Sequence, residues 1–169
     1  MTKIATSRLI LTPFTLEDAP DLFEIRGDPE AMRHWDHPGD ASLDETREVA
    51  GLFLREMAAG EAIYLTARLT DSTFVGLFDL SELTAGRPDL SFMVARRLWG
   101  HGYGREGAEA MVQEARRRGL GGLKARIHAG NAASRRLLLG LGFESEGTAR
   151  PMEVAPGRRV DCEMFRLVF

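Results

Sequence analysis

Residues 96–107 read Arg-Arg-Leu-Trp-Gly-His-Gly-Tyr-Gly-Arg-Glu-Gly, with glycines at 100, 102, 104 and 107. A chain loses more conformational entropy at Gly than at any other residue, so such a cluster has to be bought by something. From Gly104 the pattern turns helical: Ala108, Met111, Val112 and Ala115 fall at i, i+3, i+4 and i+7. A helix start carries N–H groups without intrahelical partners and the positive end of the dipole. Glycine lets a ligand approach that backbone closely. The chemistry this predicts is anion binding, phosphate above all, with Arg97 and Arg105 adding charge at either end. A flexible connection that holds no ligand is the plain alternative.

The spacing separates rival phosphate loops. No Gly-Lys-Ser/Thr follows, so this is not a Walker A loop. Gly100, Gly102 and Gly104 give G-x-G-x-G, while Gly102, Gly104 and Gly107 give G-x-G-x-x-G. A dinucleotide fold would open with that unit and place an acid after the next strand. Here the unit lies past mid-chain and the next strand ends in His128.

The elements that must position this turn are legible in the periodicities. Residues 7–14 predict a first strand, and Thr15 to Asp18 a loose capping box ahead of a helix reaching about Ile25. A short helix is expected over 29–35. A longer one is expected over 42–59, stopped by Gly60. Alternation then predicts strands near 62–69, 73–80 and 89–94. The helix from Gly104 ends at Arg116–Arg118 and Gly119. A strand follows over 123–128, then a helix over 131–142 with Asn131 as N-cap, then strands near 143–149 and 160–168. The expected fold class is α/β: a mixed, mostly antiparallel sheet with helices on both faces.

Composition narrows the classes. The 169 residues suit one domain, and a 44% hydrophobic, 28% charged chain is globular. A net charge of −3 argues against direct nucleic-acid binding. The single Cys162 excludes an internal disulfide and fits a cytoplasmic protein. No signal peptide is apparent, and no apolar run approaches the ~20 residues of a membrane span. His34 and His37 have helical spacing, but no Cys or further His pattern makes a metal site, so none is expected.

Arg97-Leu98-Trp99-Gly100-His101-Gly102 resembles the (Q/R)-x-x-G-x-(G/A) signature of the GNAT superfamily of N-acetyltransferases. Together with "NAASRRLLLGLGFESEG", Gly157-x-x-x-Asp161 and the opening "SRLILTPFTLEDA", it is similar to the Rim-type (RimJ/RimL-like) ribosomal-protein-alanine N-acetyltransferases, over about residues 6–168. The resemblance implies a GNAT fold with two parallel central strands, 89–94 and 123–128, splayed apart, and acetyl-CoA as cosubstrate. The diphosphate would lie on Arg97, Leu98, Trp99, Gly100, His101, Gly102, Tyr103, Gly104 and Arg105. Phe92, Met93 and Val94 would meet the pantetheine and acetyl group. Asn131 would reach the cofactor, a role compatible with capping its helix.

The reaction implied is direct attack of a neutral amine on a thioester in a ternary complex. Many members use a Tyr on the helix after the Asn as general acid, but the equivalent position here is Leu138. Ser134, three residues after Asn131, would serve the sulfur instead and would also touch the cofactor. A local hydrogen bond in the first helical turn is the other reading of it. Glu153 would be the base, with bulk water or a solvated, idle Glu153 as alternatives. An α-amine of pKa about 8 is about a tenth neutral at pH 7, whereas a Lys of pKa about 10.4 is almost wholly charged. A weak base therefore favours a protein N-terminal amine as acceptor. Small amines, amino acids or antibiotics remain open as acceptors, as does a non-catalytic acyl-CoA-binding module. A monomer or homodimer is expected.

Overall fold

The computed structural model describes residues 3–169. Eight strands form one sheet: β1 (Ile4–Ala5), β2 (Ile10–Pro13), β3 (Ile63–Arg68), β4 (Phe74–Ser81), β5 (Asp89–Val94), β6 (Gly122–His128), β7 (Glu144–Ala155) and β8 (Arg158–Val168). Their order is β1-β2-β3-β4-β5-β6-β8-β7. Every neighbouring pair is antiparallel except β5 and β6. Four helices cover it: α1 (Ala19–Arg26), α2 (Leu43–Ala59), α3 (Tyr103–Arg117) and α4 (Ala132–Gly140).

The two faces have separate cores. Leu22 and Ile25 of α1 and Ala50 of α2 pack with Tyr64, Leu77 and Met93. Ala108, Met111, Val112 and Ala115 of α3 and Leu138 of α4 pack with Leu65, Phe78, Leu90, Ala125 and Phe165. Alternation in β3 reads as a half-solvated strand, yet Tyr64 and Thr66 are buried as deeply as Leu65, because α1 and α2 close the polar-looking face. Thr66 is satisfied there by donating to Asp18 at 2.9 Å.

The caps act as the sequence predicts. The Ser42 hydroxyl accepts from Glu45 N–H at the start of α2, and Gly60 ends it at φ 73. Asp18 accepts from Thr15 N–H at 2.9 Å. Three expectations change. Residues 29–35 are turns, not a helix. Asp28 takes the Glu30 and Met32 N–H groups, and the Pro38-Gly39 pair breaks the run before a second turn forms. The opening strand is shorter than 7–14 and pairs with β1, which two residues were too few to signal. The final hairpin is longer: β7 and β8 reach within two residues of each other across Pro156-Gly157. Its outer half has the polar residues of a two-stranded ribbon in solvent.

Candidate active site

β5 and β6 share a single registered pair, Asp89 with Lys124, and part beyond it. The antiparallel ladder on the other side of β5 fixes where its backbone points. Gly76 pairs with Val94, and Ala95 N–H donates to Val75 C=O at 2.9 Å, so Gly76–Val94 is a non-hydrogen-bonded pair. The N–H and C=O of Val94 therefore face the opening gap, and the same alternation turns those of Phe92 the same way. Met93 alternates to the β4 side, so it offers the gap its side chain and not its amide. The Trp99 indole N–H donates to the Val94 carbonyl at 2.8 Å. That leaves the Val94 N–H and both backbone groups of Phe92 directed into a cleft of about 500 Å³.

The Gly-rich turn forms one wall. Gly100 and Gly102 sit at φ 79 and 82, where a Cβ is strained. Leu98 and Trp99 N–H groups close a short 3₁₀ turn, and Glu106 N–H begins the α3 ladder on the Gly102 carbonyl. Among the described residues, the six N–H groups from Gly100 to Arg105 have no backbone or side-chain acceptor. Six consecutive orphan donors at a helix mouth make a cradle for an oxyanion.

A residue that the sequence did not flag holds this turn. The Arg8 guanidinium donates to the His101 carbonyl at 2.9 Å and stacks over Tyr103 at 4.5 Å. Glu106 in turn accepts from Thr6 and Ser7 hydroxyls and from Arg8 N–H and Nε. Burial pushes the Glu106 carboxyl up, but these hydrogen bonds prevail and hold it at about 2. A depressed acid contributes stability that is complete above its ordinary pKa and is lost as pH falls toward 2. Glu106→Gln is expected to lower Tm at pH 7 by roughly 5 °C and to flatten the wild-type decline of Tm between about pH 4.5 and 2, read by thermal melts across pH.

Of the residues expected at the cofactor, Phe92, Met93, Val94, Leu98, Trp99, Gly100, Gly102, Tyr103, Gly104, Arg105, Asn131 and Ser134 all line the cleft. Arg97 and His101 do not. Arg97 pairs with Glu24 at 2.6 Å and donates to the Phe74 carbonyl, which pins the turn to α1 and β4. His101 folds its Nδ1 back to 2.9 Å from the Trp99 carbonyl. Arg105, which lines the cleft, is placed for the cationic role expected of it, while Arg8, paired with Glu106, braces the turn.

α4 forms the opposite wall. The Asn131 side chain accepts from Ser134 N–H at 3.1 Å, so it caps the helix while lining the cleft. Ser134 is half-buried, and its hydroxyl has no protein partner among the described residues. Leu138 is fully buried in the core, and Leu137 is the residue of that turn that faces the cleft. Glu153 stands away from it. It is exposed in β7, its carboxylate accepting from Gly157 N–H at 3.1 Å across the hairpin turn.

The loop after α1 closes the far side with Glu30, Ala31, Arg33, His34 and Trp35. The His34 ring meets His128, the last residue of β6, edge to face at 5.9 Å. Burial and the Arg33 charge hold the His34 imidazole below its ordinary pKa, with Glu30 opposing. Burial, His34 and Arg158 do the same for His128 against Asp36. Both rings are neutral at pH 7. Cys162 is a buried core thiol, and Arg117 and Arg118 pair with Glu114. Among the described residues no cluster of three His, Cys, Asp or Glu could hold a metal ion, and no helix is long and apolar enough to cross a membrane.

Splayed parallel strands, a glycine cradle and a capped helix facing it are an arrangement with known counterparts. Residues 8–144 match the family described as acetyltransferase (GNAT) domain. The chain belongs to the GNAT acetyltransferase family. It is 27% identical, over 99% of its length and 97% of the relative's, to an N-acetyltransferase named p20 from Bacillus licheniformis, itself described as uncharacterized. Its fold is similar to that of the Salmonella typhimurium enzyme that modifies the N-terminal serine of ribosomal protein L7/L12, with TM-score 0.86, 18% identity and 99% of each chain covered. It is also similar to spermidine N-acetyltransferase from Vibrio cholerae, solved with CoA and spermine, with TM-score 0.84, 17% identity and 96% of each chain covered. The GNAT fold expected from the sequence is the one observed, including the splay of the central strands.

Proposed function

We propose that this GNAT enzyme transfers the acetyl group of acetyl-CoA to a primary amine, a protein N-terminal α-amine foremost, by direct attack within a ternary complex. The observation that carries the reading is the run of six orphan N–H groups from Gly100 to Arg105 beside the gap between β5 and β6. A diphosphate satisfies those donors. The pantetheine then runs back along β5 from the cradle, pairing first at Val94 as a missing strand would, which brings the thioester carbonyl to the Phe92 N–H. That amide stabilises the oxyanion as the amine attacks.

The remaining protons need two carriers. Ser134 lies on the CoA wall and protonates the departing sulfur, whose pKa of about 8.5 makes it an undemanding leaving group. The base assigned to Glu153 on resemblance has no place in the cleft. His34 lines it, is neutral at pH 7, and takes the amine proton on the acceptor side. The nitrogen–carbon bond forms and the carbon–sulfur bond breaks; the attacking nitrogen gives one proton to His34, which releases it to solvent, and the Ser134 hydroxyl gives one to the thiolate and takes one back from solvent, so the products are the amide and the free thiol. Likeness to enzymes that act on ribosomal-protein N-termini supports the protein acceptor; likeness to a spermidine acetyltransferase keeps a small-molecule amine as the second reading.

The test is release of free thiol from acetyl-CoA with a panel of peptide N-termini and small amines. Turnover supports the enzyme. Tight binding of acetyl-CoA without turnover on any amine would contradict it and leave a binding module. His34→Gln is expected to lower kcat by about 100-fold and Ser134→Ala by about tenfold, each with little change in acetyl-CoA affinity. An unchanged kcat in either variant removes that residue from the mechanism.

A further inference from the structure

On the far side of the cleft, away from the glycine cradle, the loop after α1 presents two charged side chains, Glu30 and Arg33. Arg33 Nη1 lies 3.0 Å from Glu30 Oε1, and the two side chains are 60% and 46% exposed. An exposed pair of this kind contributes little, so a better anion displaces Glu30 readily. Among the described residues the Arg33 Nε and Nη2 donate to nothing. Those two nitrogens form the edge of a guanidinium that grips a carboxylate through two parallel hydrogen bonds. Arg26 uses the same two nitrogens on Asp40, at 2.6 and 2.9 Å.

The acids around that loop are already committed. Asp28 holds Arg96, Asp40 holds the buried Arg26, and Glu24 holds Arg97, each at 2.6 Å. Asp36 lies 4.0 Å from His37 and does not line the cleft. This end of the cleft therefore has a cation with unused donors and no unused acid. A second ammonium on the acceptor would enter beside Arg33 without a counterion. The Arg33 charge that opposes protonation of His34 opposes the ammonium form of a nearby acceptor nitrogen in the same way. A carboxylate on the acceptor meets the unused donors instead.

Arg33 adjoins His34 in the chain, and both line the cleft, so an anion bound by one lies close to an amine bound by the other. We propose that Arg33 selects the acceptor: through Nε and Nη2 it binds a carboxylate roughly 4–7 Å from the attacked nitrogen, one to two residues along an extended chain, and releases Glu30 in exchange. The inference rests on the acetyl-transfer reading and narrows its acceptor to an amine with a carboxylate nearby, away from polyamines. A peptide with Asp or Glu as its second residue supplies that chemistry, and so does the C-terminal carboxylate of a dipeptide.

Free-thiol release at saturating acetyl-CoA, read as kcat/KM, distinguishes the sources. One arm compares C-terminally amidated peptides beginning Ser-Asp, Ser-Asn and Ser-Lys, and the other compares the dipeptide Ser-Gly with its amide. In at least one arm the carboxylate is expected to raise kcat/KM about tenfold over its neutral partner, and Ser-Lys is expected to be the poorest peptide. Arg33→Gln is expected to close the gap, Arg33→Lys to recover part of it, and Glu30→Gln, which removes the competing acid, to widen it. Both side chains are exposed, so these variants are expected to fold and to bind acetyl-CoA as the wild type does. Equal values in both arms, a preference for Ser-Lys, or a gap that survives Arg33→Gln would overturn the proposal. Turnover of no acceptor at all by protein that binds acetyl-CoA would instead strike the acetyl-transfer reading.

Discussion

Gly107→Ala is expected to destabilise the protein by about 3 kcal/mol or more and to lower Tm by roughly 10 °C, or to prevent soluble expression. A Cβ at that position would lie 2.3 Å from two ring carbons of Phe78. Phe78 is fully buried in the α3-side core, so the ring has no free space to enter. Helix α3 would have to lift from β4, and its first turn carries the anion cradle. Loss of hydrogen at one carbon thus propagates from packing to ligand binding. Thermal melts with circular dichroism check this, and a variant that melts with the wild type would show that α3 tolerates a wider separation.

Gly102→Val acts on the site instead of the core. Gly102 sits at φ 82, and a β-branched residue there is strained by about 1–3 kcal/mol. Its Cβ would also come within 3.3 Å of the Arg8 guanidinium that holds the turn. The exposed turn can relax, so the fold is expected to survive, but the cradle does not keep its shape. The expected result is an acetyl-CoA Kd weakened by about 100-fold, equivalent to about 2.7 kcal/mol, with Tm lowered by only roughly 5 °C. An unaltered Kd in a folded Gly102→Val protein would place the diphosphate elsewhere.

The contrast explains why four glycines crowd residues 100–107. Gly100 and Gly102 bend the backbone into the left-handed region, and Gly107 admits Phe78. A Cβ at Gly104 would meet Leu137 and Val94 only at ordinary contact distances, so Gly104 marks the narrow floor of the cleft. The G-x-G-x-x-G reading of 102, 104 and 107 therefore joins residues with different tasks.

Helices α2, α3 and α4 and strand β5 were legible because each carries a complete local signal, a cap with a matching period or strict alternation. Ser42 and Gly60 bracket α2, and Asp89–Val94 alternates cleanly. What was not legible depends on partners distant in the chain. Arg8 looks like an ordinary strand cation until the fold brings it to His101, 93 residues away. Arg97 carries the signature motif, yet Glu24 captures it. His34 was misplaced with its helix: the turns over 29–35 are what let it reach His128 across the mouth of the cleft.

The proposed activity requires main-chain amides to grip the diphosphate of the coenzyme. Amide NMR of the ¹⁵N-labelled protein titrated with coenzyme A tests it directly. The Gly100–Arg105 N–H resonances are expected to move downfield together and saturate at one Kd. Binding that leaves those six amides unmoved, or no binding at all, would contradict it.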